Sequence, residues 1–138
     1  MRFIVMGMAT KESEGGPPPP PEAFAAMQKY NEELAKAGIL LAAEGLTPTS
    51  QGARVKFNGD ERIVTDGPFA ESKELVAGFS IIQVKSKEEA IELVKRAPRI
   101  SNGESVVEIR KLMDVEDFVE NLGDAFTPNE EIAKVKYK

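Results

Sequence analysis

Ala53-Arg54-Val55-Lys56-Phe57-Asn58-Gly59-Asp60-Glu61-Arg62-Ile63-Val64-Thr65-Asp66-Gly67-Pro68 is the stretch on which the fold turns. Its two runs, Ala53–Phe57 and Arg62–Thr65, alternate apolar and polar residues, the period of a strand with two unlike faces. Asn58-Gly59 stands between them, and Asn-Gly supplies the backbone angles of a tight hairpin turn. The second run ends in Asp66-Gly67-Pro68, three turn-forming residues in a row, so the chain changes direction again. The hairpin is an insertion, and the elements on either side of it decide the architecture.

Upstream, Phe3–Met8 is continuously apolar and reads as a strand buried on both faces. Lys11–Pro21 holds Gly15-Gly16 and five prolines, an exposed polyproline-II loop that joins neither sheet nor helix. Glu22–Ala37 reads as a helix with Phe24, Met27, Tyr30 or Asn31, Leu34 and Ala37 on one stripe, Pro21 at its start and Gly38 at its end. Ile39–Ala43 begins a second apolar strand that runs to Glu44-Gly45-Leu46. Downstream, Ala77–Val84 is a strand. Ser86-Lys87-Glu88-Glu89 is a capping box opening a helix with Ala90, Ile91, Val94 and Ala97 inward, stopped by Pro98. Asn102-Gly103 is a turn, and Val106–Leu112 is the last strand.

Two β-α-β units around an inserted hairpin form the ferredoxin-like pattern of the α+β class, with both helices on one face of an antiparallel sheet. Yet Phe3 and Val5 alternate with Ile4 and Met6, and Phe79 and Ile81 with Ile82 and Val84, so both faces are apolar. Helices exist for one face only. The expectation is a homodimer, its sheets face to face, making a homodimeric α/β-barrel. Residues 1–113 form this domain. Residues 114–138 are a helical extension that packs on the domain or on a partner subunit. In it Val115, Phe118, Val119 and Leu122 suit a short amphipathic helix, and Thr127-Pro128-Asn129-Glu130 reads as a second capping box.

Composition removes whole classes of function. The net charge of −5 and the lack of a basic stretch argue against nucleic acid as a partner. Without cysteine there is no disulfide, thiolate nucleophile or Cys-ligated metal, and without histidine no Ser-His-Asp triad or His-ligated zinc. No cofactor and no metal is called for. Any proton transfer falls to Asp, Glu, Lys or Tyr. Met1–Ala9 reads as a strand rather than a signal peptide. No apolar run approaches the roughly 20 residues of a membrane helix, so the expectation is a cytoplasmic protein without a membrane partner.

Glu44-Gly45-Leu46 with Pro48, Val64-Thr65-Asp66-Gly67-Pro68-Phe69-Ala70-Glu71 with Lys73, Gly78-Phe79, Glu89-Ala90, Ala97-Pro98 and Glu108-Ile109-Arg110 together resemble the YCII-related, or DGPF-domain, family. The likeness spans about residues 2 to 112. It implies a dimeric ferredoxin-like α/β-barrel. Many members of the broader family pair a histidine on the first helix with an aspartate. Here Gln28, Lys29, Tyr30 and Asn31 stand on that helix, and Asp66 matches the aspartate of the Asp-Gly-Pro-Phe segment. A few relatives act on chlorinated hydroquinones; others are small-molecule-binding or accessory domains.

The candidate site is drawn from these residues. Asp66 is either a partly desolvated base or ligand hook, or a cap for the amides of its own turn. Glu44, at the end of its strand, either faces the cleft or pairs with Arg62 or Arg110. Tyr30 is the one residue on the first helix able to replace the missing histidine as proton donor, or it packs in the core with its hydroxyl bonded. Glu71 and Lys73 form an ion pair or meet a ligand anion, and Arg62 completes the ligand-binding set with Asp66, Glu71 and Lys73. Phe69 anchors the turn in the core, and Gly67 permits a backbone angle other residues resist. The leading expectation is a dimer binding a small molecule in a cleft edged by Asp66-Gly67-Pro68-Phe69. The alternatives are an enzyme using Asp66 or Glu44 as base with Tyr30 or Lys73 as acid, and a protein-interaction module using the proline loop and the tail.

Overall fold

The computed structural model describes residues 1–70, 74–99, 103–125, 127 and 129–135. The elements run β1 (Arg2–Met8), α1 (Pro21–Lys36), β2 (Leu40–Gly45), a 3-10 turn (Thr49–Gln51), β3 (Ala53–Asn58), β4 (Glu61–Asp66), β5 (Val76–Gln83), α2 (Lys87–Lys95), β6 (Val107–Lys111), α3 (Val115–Leu122), a second 3-10 turn (Gly123–Ala125) and α4 (Glu130–Ala133). Four strands form one sheet in the order β2-β5-β1-β6, every neighbouring pair antiparallel, and β3 and β4 form a separate two-stranded sheet. Each crossover helix thus skips one strand, the interleaving expected of two β-α-β units around an insertion.

The faces of the sheet follow from register. Phe3 lies opposite Ile82 and Val5 opposite Ile109, and these side chains meet the helices. Phe3, Leu34, Ile82, Val84, Ala90 and Leu93 form the buried core, with Val5, Tyr30, Ile39, Leu40 and Ile109 packed at its margin. On the other face Ile4 lies between Ile81 and Arg110, and Met6 between Phe79 and Glu108. Ile81 is buried there, while Ile4, Met6 and Phe79 are half-buried and stand outside the helix-side core.

Helix ends obey local chemistry. Pro21 occupies the first turn of α1 after an extended Pro20, and Gly38 takes a φ of +74° just beyond it. The Ser86 hydroxyl accepts from the Glu89 amide at 3.1 Å, but the Glu89 carboxylate reaches back to the Lys85 amide rather than to Ser86. Two expectations need correction. Phe24 and Ala37, placed on the inner stripe of α1, are exposed, Phe24 by 67%. Sixteen helical residues span about 24 Å and the six of β2 only about 20 Å, so α1 outruns the strand it packs along. In the tail, α4 is capped by Asn129, whose side chain accepts from the amides of Glu131 and Ile132, not by Thr127. Asn has the stronger capping preference and sits next to the helix. Pro128 and Asn102 lie outside the described residues.

The α3 helix is fastened where β6 ends. Asp114 and Asp117 make a reciprocal capping box, Arg2 reaches Asp114 at 3.3 Å, and Lys111 bonds Asp117 at 2.7 Å and Asp114 at 3.5 Å. The Asp117 hydrogen bond holds the Lys111 ammonium above its usual pKa, and the same bond holds Asp117 below its own. Among the described residues no helix is long and apolar enough to cross a membrane.

Removing the Phe3 ring empties the centre of the helix-side core. Phe3→Ala is expected to cost about 3–5 kcal/mol in urea unfolding, whereas Phe24→Ala should change stability by less than about 0.5 kcal/mol.

Candidate functional site

The hairpin leaves the sheet and returns to it through a joint built from three segments. After Pro48 the chain enters the Thr49–Gln51 turn, and Thr49 donates from both its amide, at 2.9 Å, and its hydroxyl to the carboxylate of Glu14. The Thr49 hydroxyl oxygen accepts from the Phe69 amide at 3.1 Å, and Gly67 donates to the Gly52 carbonyl at 3.0 Å. The Gly67-Pro68 peptide is cis. The Gly67 Cα lies against the backbone of Thr49, where a Cβ would stand 1.7 Å from the Thr49 carbonyl oxygen. Close approach, not a left-handed angle, is therefore what requires glycine here. Phe69 is not in the core: it is half-buried, with the Arg54 guanidinium 3.9 Å above its ring. A cation over an aromatic face is favourable, and most so when partly desolvated.

Asp66 stands at the rim of this joint. It pairs with Ala53 across the hairpin and shares a face with Val64 and Arg62. It is exposed, and among the described residues nothing donates to its carboxylate. The capping role expected of it is filled instead by Thr49 and by the Gly52 carbonyl.

The other candidates do not gather around it. Arg62 lies four residues along β4, about 13 Å away, where it donates to the carbonyls of Gly59 and Glu61 and lies 4.6 Å over the Phe57 ring. Its expected partnership with Glu44 is absent. Glu44 is exposed on the face away from the helices, opposite Phe79. Tyr30 is on the helix side, its hydroxyl donating to the Leu93 carbonyl at 2.6 Å. Burial pushes its pKa up, and nearby Arg96 offsets part of that. It lines a hollow of about 280 Å³ with Glu33, Leu34, Ala37, Ile39, Leu93 and Arg96, and neither Asp66 nor Glu44 reaches it. Glu71 and Lys73 lie outside the described residues.

Sequence reasoning passed over Glu14, Thr49 and Arg54. Glu14 sits in the loop before the prolines, and only Thr49 carried a local signal, a hydroxyl residue directly after Pro48 where a tight turn begins.

Fold and joint together define an α+β protein with an antiparallel sheet, helices on one face and an inserted hairpin rooted beside the exposed Asp66 carboxylate. The chain belongs to the YCII-related domain family, whose model matches residues 1–116. It is 35% identical over 88 residues to an uncharacterized protein of Rhizobium meliloti (strain 1021), across 64% of this chain and 68% of that one. Among solved structures it is similar to 5-chloro-2-hydroxyhydroquinone dehydrochlorinase (TftG) from Burkholderia phenoliruptrix AC1100 in complex with 2,5-dihydroxybenzoquinone, with a TM-score of 0.50 and 16% identity over 84% of this chain and 97% of that one. At that identity the likeness is one of fold.

Two substitutions probe the joint and the tyrosine. Gly67→Ala forces the Thr49 backbone away and is expected to cost about 1–3 kcal/mol, a fall of several degrees in thermal unfolding, while Gly45→Ala, whose Cβ meets nothing within 4 Å, should cost far less. Tyr30→Phe removes the hydroxyl bond to the Leu93 carbonyl, which keeps its bond from the Arg96 amide at 3.1 Å, and should cost about 1 kcal/mol near pH 7. Because the folded-state pKa of Tyr30 is raised, its contribution is complete below the unfolded value of about 10 and falls as pH rises beyond it. Urea unfolding across that range should show a smaller alkaline loss in Tyr30→Phe than in the wild type.

Proposed function

We propose that the protein is a homodimer that binds a small molecule in a cleft between its open sheet face and the partner subunit, edged by the Asp66–Phe69 turn. The observation that carries this reading is the state of Asp66. Its turn is clamped by Thr49, Gly52 and Arg54, yet its own carboxylate takes no part in the clamp. A rigidly presented, unused acceptor beside apolar surface is what a ligand with hydroxyl or amine donors requires. Met6 and Phe79, half-buried in one row of the open face, offer the apolar part of such a cleft, and Glu44 stands at the end of that row. A sheet face with apolar residues and neither α1 nor α2 over it favours burial against a second copy.

The structural neighbour is a complex with 2,5-dihydroxybenzoquinone, so small hydroxylated rings are the ligand class to try first. Hydroquinone is the chosen probe, since its phenolic protons are retained at neutral pH and can be donated to a carboxylate. An enzymatic reading needs a proton donor other than Tyr30, whose hydroxyl is committed to Leu93 on the far side of the sheet from Glu44.

The wild type is expected to bind hydroquinone in anaerobic calorimetry, and Asp66→Asn to weaken that binding about tenfold, ~1.4 kcal/mol, with an unchanged circular dichroism spectrum. Equal binding by both proteins, or none by the wild type, rejects the site.

A further inference from the structure

The hollow beside Tyr30 lies on the helix side of the sheet, where the C-terminal ends of α1 and α2 come together. Tyr30, Glu33, Leu34 and Ala37 recur at i, i+3, i+4 and i+7 and make one wall. Leu93 in α2 and Arg96 at its cap make the other. Leu34 and Leu93 are buried and Ile39 is half-buried, so the floor is apolar. Ala37 is on the same stripe as Leu34 yet exposed, and its single methyl leaves the space between the helices unfilled. At about 280 Å³ that space stands at the small end of ligand sites.

The polar groups around it are uncommitted. On α1 Glu32 takes Lys36 at 2.9 Å, and on α2 Glu92 takes Lys95 at 3.3 Å. Glu33 and Arg96, which line the hollow from the two helices, make no ion pair with each other or with any other described residue. The Tyr30 hydroxyl commits its proton to the Leu93 carbonyl at 2.6 Å, so its oxygen is left to accept. The hollow thus offers two acceptors, the Glu33 carboxylate and the Tyr30 oxygen, and one cationic fork of donors, Arg96.

An ammonium suits the acceptors, and a carboxylate suits the guanidinium, which can hold it by two parallel bonds. A ligand carrying one of these charges alone meets a like charge on the opposite wall, a carboxylate meeting Glu33 and an amine meeting Arg96. We infer that the hollow binds a small apolar amino acid. Its carboxylate lies on Arg96, its ammonium between Glu33 and the Tyr30 oxygen, and its side chain against Leu34, Ile39 and Leu93. Neither Asp66 nor Glu44 lines this hollow, so the assignment is independent of the cleft proposed above.

L-Leucine is the probe, titrated into isotope-labelled protein and followed through the amide NMR signals. Saturable shifts at Leu34, Ile39 and Leu93 are expected, with a Kd of about 1 mM or tighter. Isocaproate, the same skeleton without the amine, and isoamylamine, the same skeleton without the carboxylate, should each bind about tenfold more weakly or worse. Arg96→Gln should weaken L-leucine binding about tenfold without weakening isoamylamine. Glu33→Gln should weaken L-leucine to a similar degree and bind isocaproate better than the wild type does. Ala37→Leu fills the space and should abolish the shifts while thermal stability is kept. No saturable shift with the wild type overturns the assignment. So does equal binding of L-leucine by Arg96→Gln, or binding of isocaproate or isoamylamine as tight as that of L-leucine.

Discussion

The structure depends on one packing event, the meeting of Phe3 and Ile82 with Leu34, Ala90 and Leu93. Phe3 and Ile82 are both 2% exposed and lie side by side on adjacent strands, while Ala90 at 0% lets α2 come close to the sheet. Because both crossover helices converge on this patch, both are drawn to the same face. The antiparallel order β2-β5-β1-β6 follows, with β1 and β5 at the centre where burial is greatest. So does the asymmetry of the sheet: α1 and α2 fill one face, and the face of Ile4, Met6 and Phe79 has neither of them.

The second constraint is the joint. A marginal hairpin attached by two free strands would wander, and its direction would carry no information. Here the return strand is held by Gly67 against Thr49, and Thr49 in turn by Glu14, a residue from the far side of α1 in the sequence. The proline run that follows Glu14 stiffens the connection between this anchor and the start of α1. The hairpin is thereby aimed, even though little packs against its faces.

Much of this is legible in the residues because it is local. Asn58-Gly59 marks the hairpin, and Gly59 does take a φ of +59°. Period-two alternation separates Phe3 and Val5 from Ile4 and Met6 with the correct grouping, and the order of elements leads to the sheet. What escapes a reading of the residues spans long separations. The Thr49–Glu14 bonds join residues 35 apart, and the Phe69–Thr49 bond residues 20 apart. No local pattern encodes which distant carbonyl a turn amide will find. For that reason Asp66 has the composition of a cap while Thr49 performs the role. Likewise Phe69 finds Arg54 instead of the core, since aromatic character alone does not tell a buried neighbour from a stacked cation. The scattering of Tyr30, Glu44 and Arg62 over both faces and the hairpin tip is a three-dimensional fact of the same kind.

The tail and the hairpin are attached by different forces. The joint uses backbone amides and carbonyls drawn close together, the Glu14 carboxylate on Thr49 and the Arg54 guanidinium over Phe69, with no ion pair among its described residues. The α3 helix is fastened by Arg2 to Asp114 and by Lys111 to Asp114 and Asp117, side chains that are each about one-third exposed. Exposed charge pairs weaken as mobile ions screen them, over a Debye length of about 8 Å at physiological ionic strength, whereas neutral backbone contacts hardly respond. The orientation of the tail is therefore more sensitive to salt than that of the hairpin, so the ionic medium acts chiefly on one end of the sheet.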